Sequence, residues 1–90
     1  MTVIPTKDFN KSIEKLKDKV ACKRLDVLIT KLEQAENLQQ ISNVKALVNY
    51  PHHYRIRTGE YRLIIEQVDT NTVEILLLEY LKRDEKTYKL

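Results

Sequence analysis

The hydrophobic period of this 90-residue chain changes once, and that change limits what it can fold into. Phe9, Ile13 and Leu16 recur at spacings of four and three, and Ala21, Leu25, Leu28, Ile29, Leu32 and Ala35 continue the helical pattern. From Tyr54 the period becomes two. Tyr54, Ile56, Tyr61, Leu63 and Ile65 alternate with Arg55, Arg57, Arg62 and Glu66. A period near 3.6 puts an apolar stripe on a helix, and a period of two puts one on a strand face. Ahead of the helices, Thr2-Val3-Ile4 reads as a short strand ended by Pro5. Thr6 or Asp8 can cap the first helix and Asp18 the second, each accepting from a backbone N–H that no helical carbonyl reaches. Residues 36–43 lose the pattern and read as loop. The order strand, helix, helix, strand, strand, strand predicts an α+β fold. A short N-terminal strand and a helical hairpin precede antiparallel strands in a twisted sheet, with the helices on one face.

Turn chemistry then sets the register. Gly59 is the only glycine, and Gly59-Glu60 suits a two-residue hairpin loop with glycine first. That loop pairs Thr58 with Tyr61, Arg57 with Arg62 and Arg55 with Ile64. Residues directly opposite share a face, so Arg55, Arg57 and Arg62 gather on one side and Tyr54, Ile56, Tyr61, Leu63 and Ile65 on the other. A three-residue loop would mix the faces and lose the core. The next turn, at Thr70-Asn71 or Asp69 to Thr72, pairs Val68 with Val73. Counting back sets Ile65 against Leu76, Leu63 against Leu78, Tyr61 against Tyr80 and Arg62 against Glu79. On this register Arg83 joins the arginine face, together with Glu66, Glu79, Ile64, Ile75 and Leu77.

Charge is sorted along the chain. Eight of the eleven lysines fall in residues 1–50, while four of the five arginines (Arg55, Arg57, Arg62, Arg83) fall in residues 51–90. Lysine on a helix surface is ordinary solvation, whereas arginine suits planar, two-pronged contact with phosphate or carboxylate. Glu66 and Glu79 can neutralise part of the arginine face through surface ion pairs of about 0–1 kcal/mol each. Two glutamates do not balance four arginines, and a bound phosphate would relieve the rest.

The remaining features are bounding. The length predicts one domain over residues 1–90, without repeats or linkers. A single cysteine forms no internal disulfide and fits a reducing compartment, with Cys22 expected as a small buried hydrophobe. The longest aliphatic run, Ile75 to Leu78, is far short of the roughly 20 residues of a membrane helix. The N-terminus lacks the pattern of a signal peptide, so a cytoplasmic protein is expected. His52 and His53 follow Pro51 in an apparent turn; an imidazole suits proton transfer, and a pair of exposed loop histidines is the plain alternative. No third ligand at recognisable spacing suggests a metal site. Tyr54, Tyr61 and Tyr80 are expected in the core, with Tyr88 beyond the last strand.

The stretch Tyr54-Arg55-Ile56-Arg57-Thr58-Gly59-Glu60-Tyr61-Arg62-Leu63 resembles the central hairpin of the RelE/ParE toxin superfamily, a basic alternating strand running into glycine, tyrosine and arginine. The ending from Leu81 to Tyr88, a basic pair followed by tyrosine, is similar to the family's close. The resemblance spans nearly the whole chain and points to the RelE-like branch. It implies a type II toxin that cuts messenger RNA in the ribosomal decoding site, with the RNA's own 2′-hydroxyl attacking the adjacent phosphate. No metal or cofactor is implied; the implied partners are a cognate antitoxin and the ribosome, with no membrane. On matching positions it assigns catalysis to Arg57, Arg62, Arg83 and Tyr88, and RNA binding to Arg55, Lys82 and Lys86. Both strand positions that carry lysine in the founding pattern are arginine here, and arginine stays protonated. The proton acceptor must be another group, with His53 and Glu79 as candidates beside His52 and Glu60. The alternatives are a ParE-like inhibitor of DNA gyrase and a non-catalytic RNA-binding relative.

Overall fold

Thr6 turns the chain from its first strand into its first helix. In a computed structural model, which describes residues 1–69 and 74–82, β1 (Thr2–Pro5) is followed by α1 (Lys7–Glu14) and α2 (Lys19–Gln34). The Thr6 hydroxyl accepts from the Phe9 N–H at 3.2 Å and donates to the Leu77 carbonyl at 2.8 Å, tying the helix start to the sheet. Asp8, the other candidate cap, lies in the first turn, where a carboxylate complements the helix dipole. Asp18 caps α2 by accepting from Val20 and Ala21 at 3.0 and 3.1 Å. Ala21, Leu25, Leu28 and Leu32 form the buried stripe of α2. Cys22 is exposed, contrary to expectation. It follows Ala21 by one residue, and about 100° of rotation carries it off that stripe.

The sheet contains one strand more than the sequence predicts. Residues 36–43, expected as loop, include a single 3₁₀ turn at Leu38–Gln40, and β2 (Val44–Ala46) follows. Then come β3 (His53–Thr58), β4 (Tyr61–Asp69) and β5 (Glu74–Lys82). The spatial order is β1-β5-β4-β3-β2, with β1 parallel to β5 and the other pairs antiparallel. The result is an open, mixed α+β sheet. Phe9, Leu25, Leu28 and Leu32 from the helical segment pack with Ile56, Leu63, Ile65, Ile75, Leu77 and Tyr80 from the strands. At about 25 cal/mol per Å² of apolar surface removed from water, this layer is the main stabilising term.

The β3–β4 register is the predicted one, with Thr58 opposite Tyr61, Arg57 opposite Arg62 and Arg55 opposite Ile64. The β4–β5 register is not. Leu63 faces Tyr80, Arg62 faces Leu81, Tyr61 faces Lys82 and Ile65 faces Leu77, so the expected pairs of Arg62 with Glu79 and Leu63 with Leu78 do not form. Two bulges cause the difference. Val68 is the extra residue between the pairs Gln67–Ile75 and Asp69–Glu74, and Leu78 is the extra residue between Ile65–Leu77 and Ile64–Glu79. The first reverses the face of β5, putting Ile75 and Leu77 in the core instead of on the arginine side. The second reverses it again, which returns Tyr80 to the core. The second turn and Val73 lie outside the described residues.

Tyr80 closes the core at its edge. Its hydroxyl donates to the Ala21 carbonyl at 3.0 Å and its ring stacks on Tyr61 at 4.9 Å. Burial, followed by the neighbouring Tyr61 and Cys22, pushes the phenol up to about 12, with Arg24 opposing.

Candidate active site

The hairpin turn is built to bring arginines together. Gly59 has a φ of +61°, a left-handed conformation that favours glycine at the first loop position. The Arg24 guanidinium from α2 lies directly over it, where a Cβ would collide. With the turn held, strand alternation sets three rows on the face opposite the helical core. His53 pairs with Glu66; Lys45, Arg55, Ile64 and Glu79 follow across four strands; Arg57, Arg62 and Leu81 form the last. Successive rows are about 7 Å apart along the strands. Arg57 is exposed, while Arg55 and Arg62 are half-buried.

Lys45 is a cation that sequence reasoning missed. Its strand is three residues long with no alternating pattern, so nothing in Val44-Lys45-Ala46 reveals that it pairs with Arg55. The site's other unanticipated feature is His53. It belongs to β3, not to the preceding turn, and so shares the face of Arg55 and Arg57. Its Nδ1 lies 2.9 Å from the Pro51 carbonyl, its Nε2 is 3.8 Å from Glu66 Oε1, and its ring meets Tyr50 edge-on at 6.2 Å. His52 is exposed with a φ of +65°, and its carbonyl accepts from the Gln67 N–H at 2.8 Å. Glu60 sits exposed in the turn.

The face continues into a cleft of about 690 Å³ lined by His53, Glu66 and Glu79 of the sheet, by Asp8 and Lys11 of α1 and by Lys15 just after it. Lys82 also lines it, but pairs with Tyr61 and therefore lies on the strand side away from the arginine row. Arg83, Lys86 and Tyr88 lie outside the described residues. Among the described residues, no three His, Cys, Asp or Glu side chains gather closely enough to hold a metal ion.

A sequence profile described as the ParE toxin of the type II toxin–antitoxin system parDE matches residues 3–84. The chain belongs to the ParE toxin family. Among solved structures, it is similar to the toxin in the RelB–RelE antitoxin–toxin complex of Methanococcus jannaschii, with a TM-score of 0.74, 28% identity and 89% of each chain covered. The RelE–RelB complex of Pyrococcus horikoshii gives a TM-score of 0.71 at 24% identity, covering 93% of this chain and 96% of that one. The isolated E. coli RelE toxin gives 0.65 at 22% identity, with 96% and 87% covered, a likeness of fold. No curated protein matches. Together these make the chain a type II toxin of the RelE/ParE superfamily, on the RelE-like branch. Among the described residues, no helix is long and apolar enough to cross a membrane.

Proposed function

We propose that this toxin is a ribosome-dependent endoribonuclease, folded as one domain over residues 1–90 and acting in the cytoplasm. The observation that carries the reading is the direct pairing of Arg57 with Arg62, one row from Arg55 and Lys45, on the sheet face away from the core. Like charges directly opposite each other on a sheet are destabilising. A phosphate between them reverses that cost, and the added charge of a phosphorane reverses it further. In this reading the RNA's 2′-hydroxyl attacks the adjacent phosphorus. Arg62 stabilises the phosphorane with help from Arg57, while Arg55 and Lys86 hold the strand and Lys82 reaches it only from the adjoining cleft. Arg83 supports the leaving 5′-oxygen, and Tyr88 stacks on a base to orient the sugar. The chemistry draws on no metal or cofactor. A cognate antitoxin, as RelB is to RelE in the solved complexes, holds the toxin inactive.

A second reading has one observation in its favour: the matching family profile carries the ParE name. A ParE-like toxin would inhibit DNA gyrase without using the arginine pair. Primer extension on a defined messenger in a purified translation system, with ribosomes and with naked RNA, separates the two. The expected result is cuts only with ribosomes, lost by 10²-fold or more in Arg62→Ala, the scale of a removed transition-state donor. Absence of cuts together with inhibition of supercoiling would establish the gyrase reading.

A further inference from the structure

We infer that His53 is the proton acceptor of the proposed cleavage and that Glu66 is its positioning residue. The inference rests on the ribonuclease reading. Its starting point is that Arg55 and Arg57, charged at any working pH, cannot accept a proton. Another side chain on the same sheet face must do so, and His53 lies two rows along β3 from Arg57, with Arg55 between them.

His53 is held as such a group has to be held. A carbonyl oxygen has no proton to give, so the contact with Pro51 requires Nδ1 to carry the hydrogen. In the neutral ring this leaves the Nε2 lone pair free to accept. Nε2 is also the nitrogen nearest Glu66, at 3.8 Å, so the carboxylate stands beside the position the proton would take. The Tyr50 ring packs edge-on beside the imidazole. Backbone bonds to the β2–β3 connection and to β4 fix the base of the side chain: His53 N–H donates to the Tyr50 carbonyl at 3.2 Å, Leu47 N–H to the His53 carbonyl at 3.0 Å, and Gln67 N–H to the His52 carbonyl at 2.8 Å. A histidine serving only to fill a sheet edge needs neither a chosen tautomer nor a carboxylate beside its free nitrogen. The charged groups that line the same cleft as the ring are Glu66 on β4, Glu79 and Lys82 on β5, Asp8 and Lys11 on α1 and Lys15 and Lys17 just after it, with Arg55 two residues along β3.

The step balances without an added reagent. Nε2 takes the 2′-hydroxyl proton as the 2′-oxygen bonds to phosphorus. The bond from phosphorus to the 5′-oxygen breaks, and that oxygen leaves with the electron pair and takes a proton from water. The imidazolium returns its proton to the hydroxide so formed. The products are a 2′,3′-cyclic phosphate and a 5′-hydroxyl end.

The test uses the full chain on programmed ribosomes. Single-turnover cleavage is measured for wild type, His53→Ala, Glu66→Gln and Arg62→Ala, and binding is measured with a messenger carrying a 2′-deoxy nucleotide at the cut site. His53→Ala is expected to lose 10²- to 10⁴-fold in rate, the usual worth of a general base, with binding and melting temperature retained. Added imidazole should restore cutting to His53→Ala and do nothing for Arg62→Ala. Glu66→Gln should lower the rate without changing binding. Cutting by His53→Ala within threefold of wild type, a matching loss of binding, or a loss that imidazole leaves untouched would each overturn the assignment while leaving the nuclease reading intact. A wild-type toxin that cuts nothing on ribosomes would overturn both.

Discussion

Tyr80 shows how one side chain ties stability to pH. Its phenol is held neutral by burial and pushed up to about 12 from 10.0, the value it resumes in the unfolded chain. Below pH 10 both states are protonated and the interaction contributes fully. As pH rises from 10 through 12, the unfolded chain releases a proton that the native state keeps, so stability falls. Tyr80→Phe removes this dependence. At neutral pH it loses the hydrogen bond to Ala21, costing about 1 kcal/mol. Thermal melts at pH 8 and pH 11 should therefore differ less for the variant than for the wild type. An equal difference would locate the alkaline loss elsewhere.

At the scale of elements, α1 continues where β1 stops. β1 pairs with β5 only from Glu74 to Leu77, which would leave the later N–H groups of β5 on an open edge. Ser12 covers one of them. Its hydroxyl accepts from the Tyr80 N–H at 3.1 Å and donates to the Phe9 carbonyl at 2.7 Å. Ser12→Ala strands a part-buried donor, and urea unfolding should show a loss of about 1–3 kcal/mol with an unchanged slope. This edge was invisible in the sequence, because it depends on a side chain meeting a strand 68 residues away. The helices and the β3–β4 hairpin were legible for the opposite reason. Their signals are local: apolar spacing, capping side chains and a single glycine. The β4–β5 register was not, since Ile75-Leu76-Leu77-Leu78 is aliphatic on both faces and carries no parity. Two bulges could therefore slip the strand without leaving a trace in the pattern. The arginine face was readable because it rides on the hairpin; Lys45 and the placement of His53 depend on a strand and a strand start that the pattern does not mark.

Considered whole, the molecule joins two differently charged halves of its sequence. The edge position of α1 brings Lys11 and Lys15, from the lysine-rich half, into one cleft with the sheet face of the arginine-rich half. Arginines on the sheet can address one phosphate closely, while lysines on the wall can hold flanking phosphates without directionality. These two roles separate experimentally on the proposed nuclease reading. Contacts of the second kind displace counterions, so affinity falls as salt rises, by about 0.7–0.9 in the logarithmic slope for each contact. Lys11→Gln with Lys15→Gln should reduce the slope of ribosome binding against potassium chloride by about 1.5 in total. It should weaken binding most at low salt and leave the saturated cleavage rate within about twofold, because neither lysine belongs to the arginine row proposed to hold the phosphorane. Arg62→Ala should do the reverse, with a large loss of rate and a small change in slope. Filter binding across a salt series, paired with single-turnover cleavage, measures both quantities on the same complexes. If the double lysine variant instead lost rate at saturation, α1 would belong to the chemistry and not only to its electrostatic approach.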